Sequence, residues 1–172
     1  MDPPQYETSV VRLFVGHANS AIWFSDPVPY EESHLTAVLV GALREWEQSY
    51  YVGLDDDFKW RSVELPGQFN AEGRRLALRL AEEIGNEFQV ELHEAGVSPP
   101  WPLVQSDDAA SNPEAAAAFR ARADAARTEW QRSSRAAPVT GNDVIVGGWY
   151  AQSPDGVRVF RPFGGEDAGP SD

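Results

Sequence analysis

The stretch LTAVLVGALREWEQSY, residues 35–50, decides the fold. Leu35, Val38, Leu39, Ala42, Leu43, Trp46 and Tyr50 stand at offsets 0, 3, 4, 7, 8, 11 and 15, the spacing of one continuous helical stripe. Upstream, Pro27 and Pro29 punctuate the chain, and Glu31 and Glu32 put negative charge where a first helical turn presents free N–H groups. The reading is a helix over 33–51. Before it, Val11, Leu13 and Val15 alternate with Val10, Arg12 and Phe14, as a half-buried strand over 9–15 requires. Residues 16–20 are turn formers, and Ala21 to Phe24 supply a second short strand, so the two read as a hairpin.

After the long stripe, Asn70 reads as an N-cap, Leu76, Ala77, Leu80 and Ile84 share a face, and Gly85 stands where a left-handed residue ends a helix. Gly73 falls on the same stripe. Because glycine costs about 1 kcal/mol of helix propensity relative to Ala, its expected use is close approach to a neighbour. Phe88, Val90 and Leu92 alternate with Glu87, Gln89, Glu91 and His93, giving a strand over 87–93 with one apolar and one polar face, expected to join the hairpin. The fold class that follows is α+β. A mainly antiparallel sheet of strands 9–15, 21–24 and 87–93 carries the helices 33–51 and 70–84 on one face.

Residues 95–112 are rich in Gly, Pro, Ser and Asp and read as a loop at a module boundary. Asn112, Pro113 and Glu114 then supply a cap, a first-turn proline and a favourable acid for an Ala-rich helix to about Arg135, whose thin stripe of Phe119, Ala123, Ala126 and Trp130 suggests loose docking. Val144 to Ala151 and Val157 to Phe160 flank Pro154-Asp155-Gly156 and read as a second hairpin. The expected organisation is one α+β domain over 1–163, with a core module at 9–94, the loop at 95–112 and a helix plus hairpin at 113–163. Residues 164–172 are expected to form a disordered tail. A chain of 172 residues is the length of one domain.

Composition removes several function classes. There are no cysteines, hence no disulfide framework, no Cys-ligated metal and no cysteine nucleophile. The net charge of −13 opposes direct binding to nucleic-acid phosphates. The N-terminal residues lack a basic and an apolar signal region, and no run approaches the roughly 18 apolar residues of a membrane span, so the expectation is a cytoplasmic protein without membrane attachment.

The chemistry-bearing residues form no recognisable constellation. His17, His34 and His93 are too far apart in sequence to place two imidazoles on one helix face, and Asp55-Asp56-Asp57 lacks the alternate acids, Gly and terminal Glu of a calcium loop. No Gly-x-Ser-x-Gly, serine–lysine pair or phosphate-binding glycine loop occurs. No cofactor and no catalytic residue is assigned. What remains is a field with aromatics in it. Residues 26–57 hold eight acids and one base, Arg44, a local charge of −7, with Tyr30, Tyr50, Tyr51 and Trp60 nearby. Aromatic anchors inside like charge suit an electrostatically steered protein interface. The candidate contact residues are Glu31, Glu32, Glu47, Tyr51, Asp55, Asp56, Asp57 and Trp60, facing a basic protein partner. In contrast, residues 112–136 carry five arginines against three acids, so that helix is a candidate to dock on the acidic body in cis.

At Trp46-x3-Tyr50, Trp60-Arg61-Ser62 and Gly73-x2-Leu76-Ala77-x2-Leu80-Ala81-x-Glu83-x-Gly85, with Val90 beyond, the chain resembles a set of small uncharacterised actinobacterial proteins. The resemblance spans about residues 9–94, and some of those proteins are thought to be immunity partners of polymorphic toxins. It carries over no catalytic residue. Three readings stay open: an acidic immunity protein or antitoxin neutralising a basic partner, an enzyme with an unmarked carboxylate/His site such as a metal-assisted hydrolase, and a structural subunit of a larger assembly.

Overall fold

In the computed structural model the described residues are 2–16, 18–136, 151–152 and 159–160. In chain order the elements are α1 (Gln5–Thr8), β1 (Val10–Leu13), β2 (Ile22–Trp23), α2 (Tyr30–Ser33), α3 (Ala37–Gly53), α4 (Leu65–Ile84), β3 (Gln89–Leu92), β4 (Leu103–Val104), α5 (Pro113–Ala136), β5 (Ala151–Gln152) and β6 (Val159–Phe160). The architecture is α+β. Residues up to Ala136 form one compact unit, and Ala137–Asp172 form another. In the second unit, β5 and β6 pair antiparallel, Ala151 opposite Phe160. The rest of the C-terminal hairpin and the 164–172 tail expected from the sequence lie outside the described residues.

The sheet of the first unit runs β2-β1-β3-β4. Both outer pairings are antiparallel, and the central one is parallel, Val11 beside Val90 and Leu13 beside Leu92. The strand at 87–93 therefore does join the N-terminal hairpin, though along its β1 edge and in the same direction. Joining two parallel neighbours takes a long crossover, here α2 to α4. Period-two alternation puts Val11, Leu13, Val90 and Leu92 on one face, all essentially inaccessible, against α4.

On α3, Leu39, Leu43 and Trp46 are buried, but Val38, included in the stripe by its spacing, is 70% exposed. It lies on the outer flank of the first turn. The helix begins at Ala37 because Thr36 caps it, its hydroxyl accepting from the Leu39 N–H. Helix α4 starts five residues before Asn70, with Pro66 in its first turn. Asn70 is thus no cap: its amide exchanges two hydrogen bonds with the backbone of Ala95, at 3.1 and 2.8 Å, and pins the chain after β3. Gly73 does provide close approach. A Cβ there would stand 2.9 Å from Trp46 Cζ2 and 3.1 Å from Leu92 Cδ1, so only glycine lets α4 sit at this distance from α3 and the sheet.

The segment expected to be a loop, 95–112, contains β4. Beyond it, Asn112 caps α5 as its sequence indicates, accepting from the Ala115 N–H. The expectation of loose docking fails for the first turns of α5. Ala115, Phe119 and Ala123 are buried, and the Phe119 ring packs against Phe24 and Phe88 at centroid distances of 5.7 and 6.1 Å. The arginines of α5 reach acids of the body, Arg120 to Glu87 and Arg122 to Glu32, as its charge pattern anticipates.

The other sheet face is built of rings. Trp23, Phe14, His93 and Trp101 stack in a row at centroid distances of 4.8, 5.0 and 4.7 Å. Glu91, expected to face solvent, is buried among its partners: Tyr6 Oη donates to Oε2, and His93 Nε2 lies 2.8 Å from Oε1.

Candidate partner-binding face

The acidic segment 26–57 folds into α2, α3 and their flanks, so its charges gather around the exposed side of one helix. Tyr30, in the first turn of α2, is pulled inward. Its hydroxyl donates to Glu47 Oε2 at 2.7 Å and accepts from the Ala21 N–H at 3.1 Å. Burial, helped by the bond to Glu47, pushes that hydroxyl well above its ordinary pKa, while the Ala21 N–H acts in the opposite direction. Tyr30 is therefore a pin between the hairpin and α3, and it fixes the Glu47 side chain at the surface. Burial raises the Glu47 carboxyl above its ordinary 4.5, with the Tyr30 hydrogen bond and Arg44 acting in the opposite direction.

Glu47 opens into a shallow groove of about 790 Å³ between α3 and the loops on either side of β2. Ser20, Pro29, Glu31, Arg44, Gln48 and Tyr51 share its walls. Tyr51 is half exposed and is steadied by donating its hydroxyl to the Gly16 carbonyl at 2.7 Å. Of the residues singled out from sequence, Glu31, Glu47 and Tyr51 thus meet at one place. The groove is not uniformly acidic, because Arg44 pairs with Glu31 at 3.1 Å and lies over the Tyr30 ring.

The remaining candidates lie elsewhere. Glu32 is turned to Arg122 of α5. Asp55, Asp56 and Asp57 sit in a tight turn after α3, which the Leu54–Trp60 bridge closes. Asp55 spends its carboxylate inside that turn, Oδ1 accepting from the N–H groups of Asp57 and Lys59 at 2.9 Å each. Asp56 and Asp57 are exposed, and together with Glu45 they make no ion pair among the described residues. Trp60 is half-buried. It packs edge-on to Tyr50 and against Phe69, and it lines a smaller cleft of about 290 Å³ between α3 and α4, with Glu45 and Glu72 beside it.

Two features escaped the sequence reading. The hairpin residues of the groove wall reach α3 only through tertiary folding, and nothing local announces them. Phe58 is different: it is 82% exposed, and an aromatic between Asp57 and Lys59 in a polar turn is visible in the sequence itself. Among the described residues no cluster of three or more His, Asp or Glu side chains is placed to hold a metal ion, and no helix is long and apolar enough to cross a membrane.

Compared with known proteins, residues 10–95 match the family model of Serratia CdiI immunity protein-like proteins. The chain belongs to that family. No curated protein matches it. The immunity-protein-like segment runs from β1 through β3 and includes the groove, the Asp55–Asp57 turn and the Trp60 cleft. Helix α5, which packs on the same core, lies beyond it.

Proposed function

We propose that this chain is an immunity protein that acts by binding, without catalysis, and neutralises a toxin protein through the exposed side of α3 and the turn that follows it. The observation that carries this reading is the overlap of the family match with that face. The partner surface it calls for is basic, because Glu45, Asp56 and Asp57 keep their charge uncompensated by ion pairs among the described residues, and concentrated like charge is offset by a cognate positive surface. The proposed contact set is Glu31, Glu47 and Tyr51 at the groove, Asp56 and Asp57 at the turn, and Trp60 beside it. Glu32 and Asp55 support the set from behind, one through α5 and one inside the turn. Such a protein works in the cytoplasm of the cell it protects.

The test has two stages. Proteins captured on the full chain from cells of its source are identified and each is expressed alone in a host. The reading expects one of them to arrest growth alone, to be harmless when co-expressed with this chain, and to bind it with an association rate that falls steeply with salt. A partner that is not toxic, or a toxin bound through an acidic surface, overturns the corresponding part.

A further inference from the structure

Phe58 sits where a bulky side chain is disfavoured. Its φ is +57°, in the left-handed region, where the Cβ of an L-residue crowds the following carbonyl and where Gly, Asn or Asp is ordinarily found. It also gains nothing from the core, being 82% exposed. The turn that holds it is nevertheless tightly made. The Asp55 N–H donates to the Lys59 carbonyl at 2.8 Å, the Phe58 N–H to the Asp55 carbonyl at 3.0 Å, and the Arg61 N–H to the Gly53 carbonyl at 2.9 Å. Two further N–H groups close on the Asp55 carboxylate. A backbone outlier carrying an exposed aromatic on a rigid support points to a use outside the fold.

We propose that Phe58 is a pre-positioned anchor that inserts into an apolar pocket with a basic rim on the toxin. This rests on the immunity reading above and names the element that holds the complex together. Aromatic side chains on rigid supports lose little freedom on binding, and truncating such anchors removes most of an interface's grip. The rim follows from charge complementarity: Asp56 and Asp57, both exposed, immediately precede the ring. The same two acids, on a chain of net charge −13, oppose a second copy of this chain as the occupant.

The experiment uses the toxin identified by the co-expression test and the full chain carrying Phe58→Asn, which suits the left-handed backbone. Expected is a Tm equal to or above wild type, an association rate close to wild type, and dissociation at least about 30-fold faster, the signature of a lost hot spot. Asp56→Asn with Asp57→Asn is expected to do the converse, slowing association and flattening its salt dependence with little change in dissociation. If wild type binds the toxin but Phe58→Asn dissociates within about threefold of it, the anchor is refuted while the immunity reading stands. A clear drop in Tm in Phe58→Asn makes the ring a folding element and refutes the anchor. So does a wild-type dimer that becomes monomeric in the variant. If no toxin is found, both readings fall.

Discussion

Replacing Glu83 with Ala probes a junction on which three helices depend. The carboxylate is buried at the end of α4, where Oε2 accepts from the Thr36 N–H at 2.9 Å and from Asn112 Nδ2 at 3.1 Å, and Oε1 accepts from the Thr36 hydroxyl. Thr36 and Asn112 are themselves the caps of α3 and α5. Hydrogen bonds to a charged group contribute about 1.5–3 kcal/mol each. Three of them would set an upper bound well above what is expected, because Thr36 is exposed and Asn112 only half-buried, so both recover water when the carboxylate goes. One to two bonds' worth remains, a loss of about 1.5–6 kcal/mol. Urea denaturation reads this as a lower midpoint at unchanged slope, and amide exchange should quicken first in the opening turn of α5. In a double-mutant cycle Asn112→Ala should couple to Glu83→Ala by about 1 kcal/mol. A total loss below about 0.5 kcal/mol, or no coupling, would mean that the junction rehydrates freely and does not tie α5 to the body.

Three further outcomes follow from packing and titration. Leu43→Ala should cost about 2–5 kcal/mol in chemical denaturation, while Val38→Ala, on the same helix but 70% exposed, should stay within about 0.5 kcal/mol. Gly73→Val should lose about 1–3 kcal/mol or more, because its side chain meets the buried Trp46 ring; a neutral result would show that α4 can move away. Glu47→Gln keeps an acceptor for Tyr30 but removes a charge whose pKa is raised by burial. A raised carboxyl pKa penalises the folded state above that pKa and ceases to do so below the unfolded value, so the variant should melt at or above wild type at pH 7. That difference should close as pH falls toward the ordinary 4.5; a gap that widens on acidification would refute the assignment.

The helices were largely legible because their signals are local. The α3 stripe survives from Leu39 onward: Val38 lies at the flank of the face, and Leu35, though buried, stands before the helix, which starts at Ala37 and not at residue 33. The α4 start was obscured because Asn70 looks like a cap but instead holds the backbone of Ala95 from within the helix, while the true signal, Pro66, stood nearby in the sequence. Strand β4 has only two residues, too few for any period, and exists because the β3 edge needs partners. Parallel pairing of β1 with β3 cannot be read from alternation, which is the same in either direction. In the candidate face, the density of acid was plain from composition. Its partial neutralisation was legible in outline, from Arg44 within the segment and the arginine-rich helix expected to dock on it, but the acids these arginines meet, Glu31 and Glu32, are set by tertiary packing.

The central parallel pair also sets a timetable. Val11 and Leu13 find their parallel neighbours only in Val90 and Leu92, so one edge of the first strand stays unmatched while α2, α3 and α4 are still being made. Contacts between positions so far apart in sequence slow folding and leave transient edges open to the wrong partner. On the ribosome, β1 and β2 therefore wait as an exposed hairpin until the third strand emerges. A chain cut before Leu92 leaves β1 without its parallel neighbour and the sheet without its centre. The groove thus takes shape late in synthesis: the wall supplied by the hairpin and the wall supplied by α3 come together only when the strand that closes the sheet has been added.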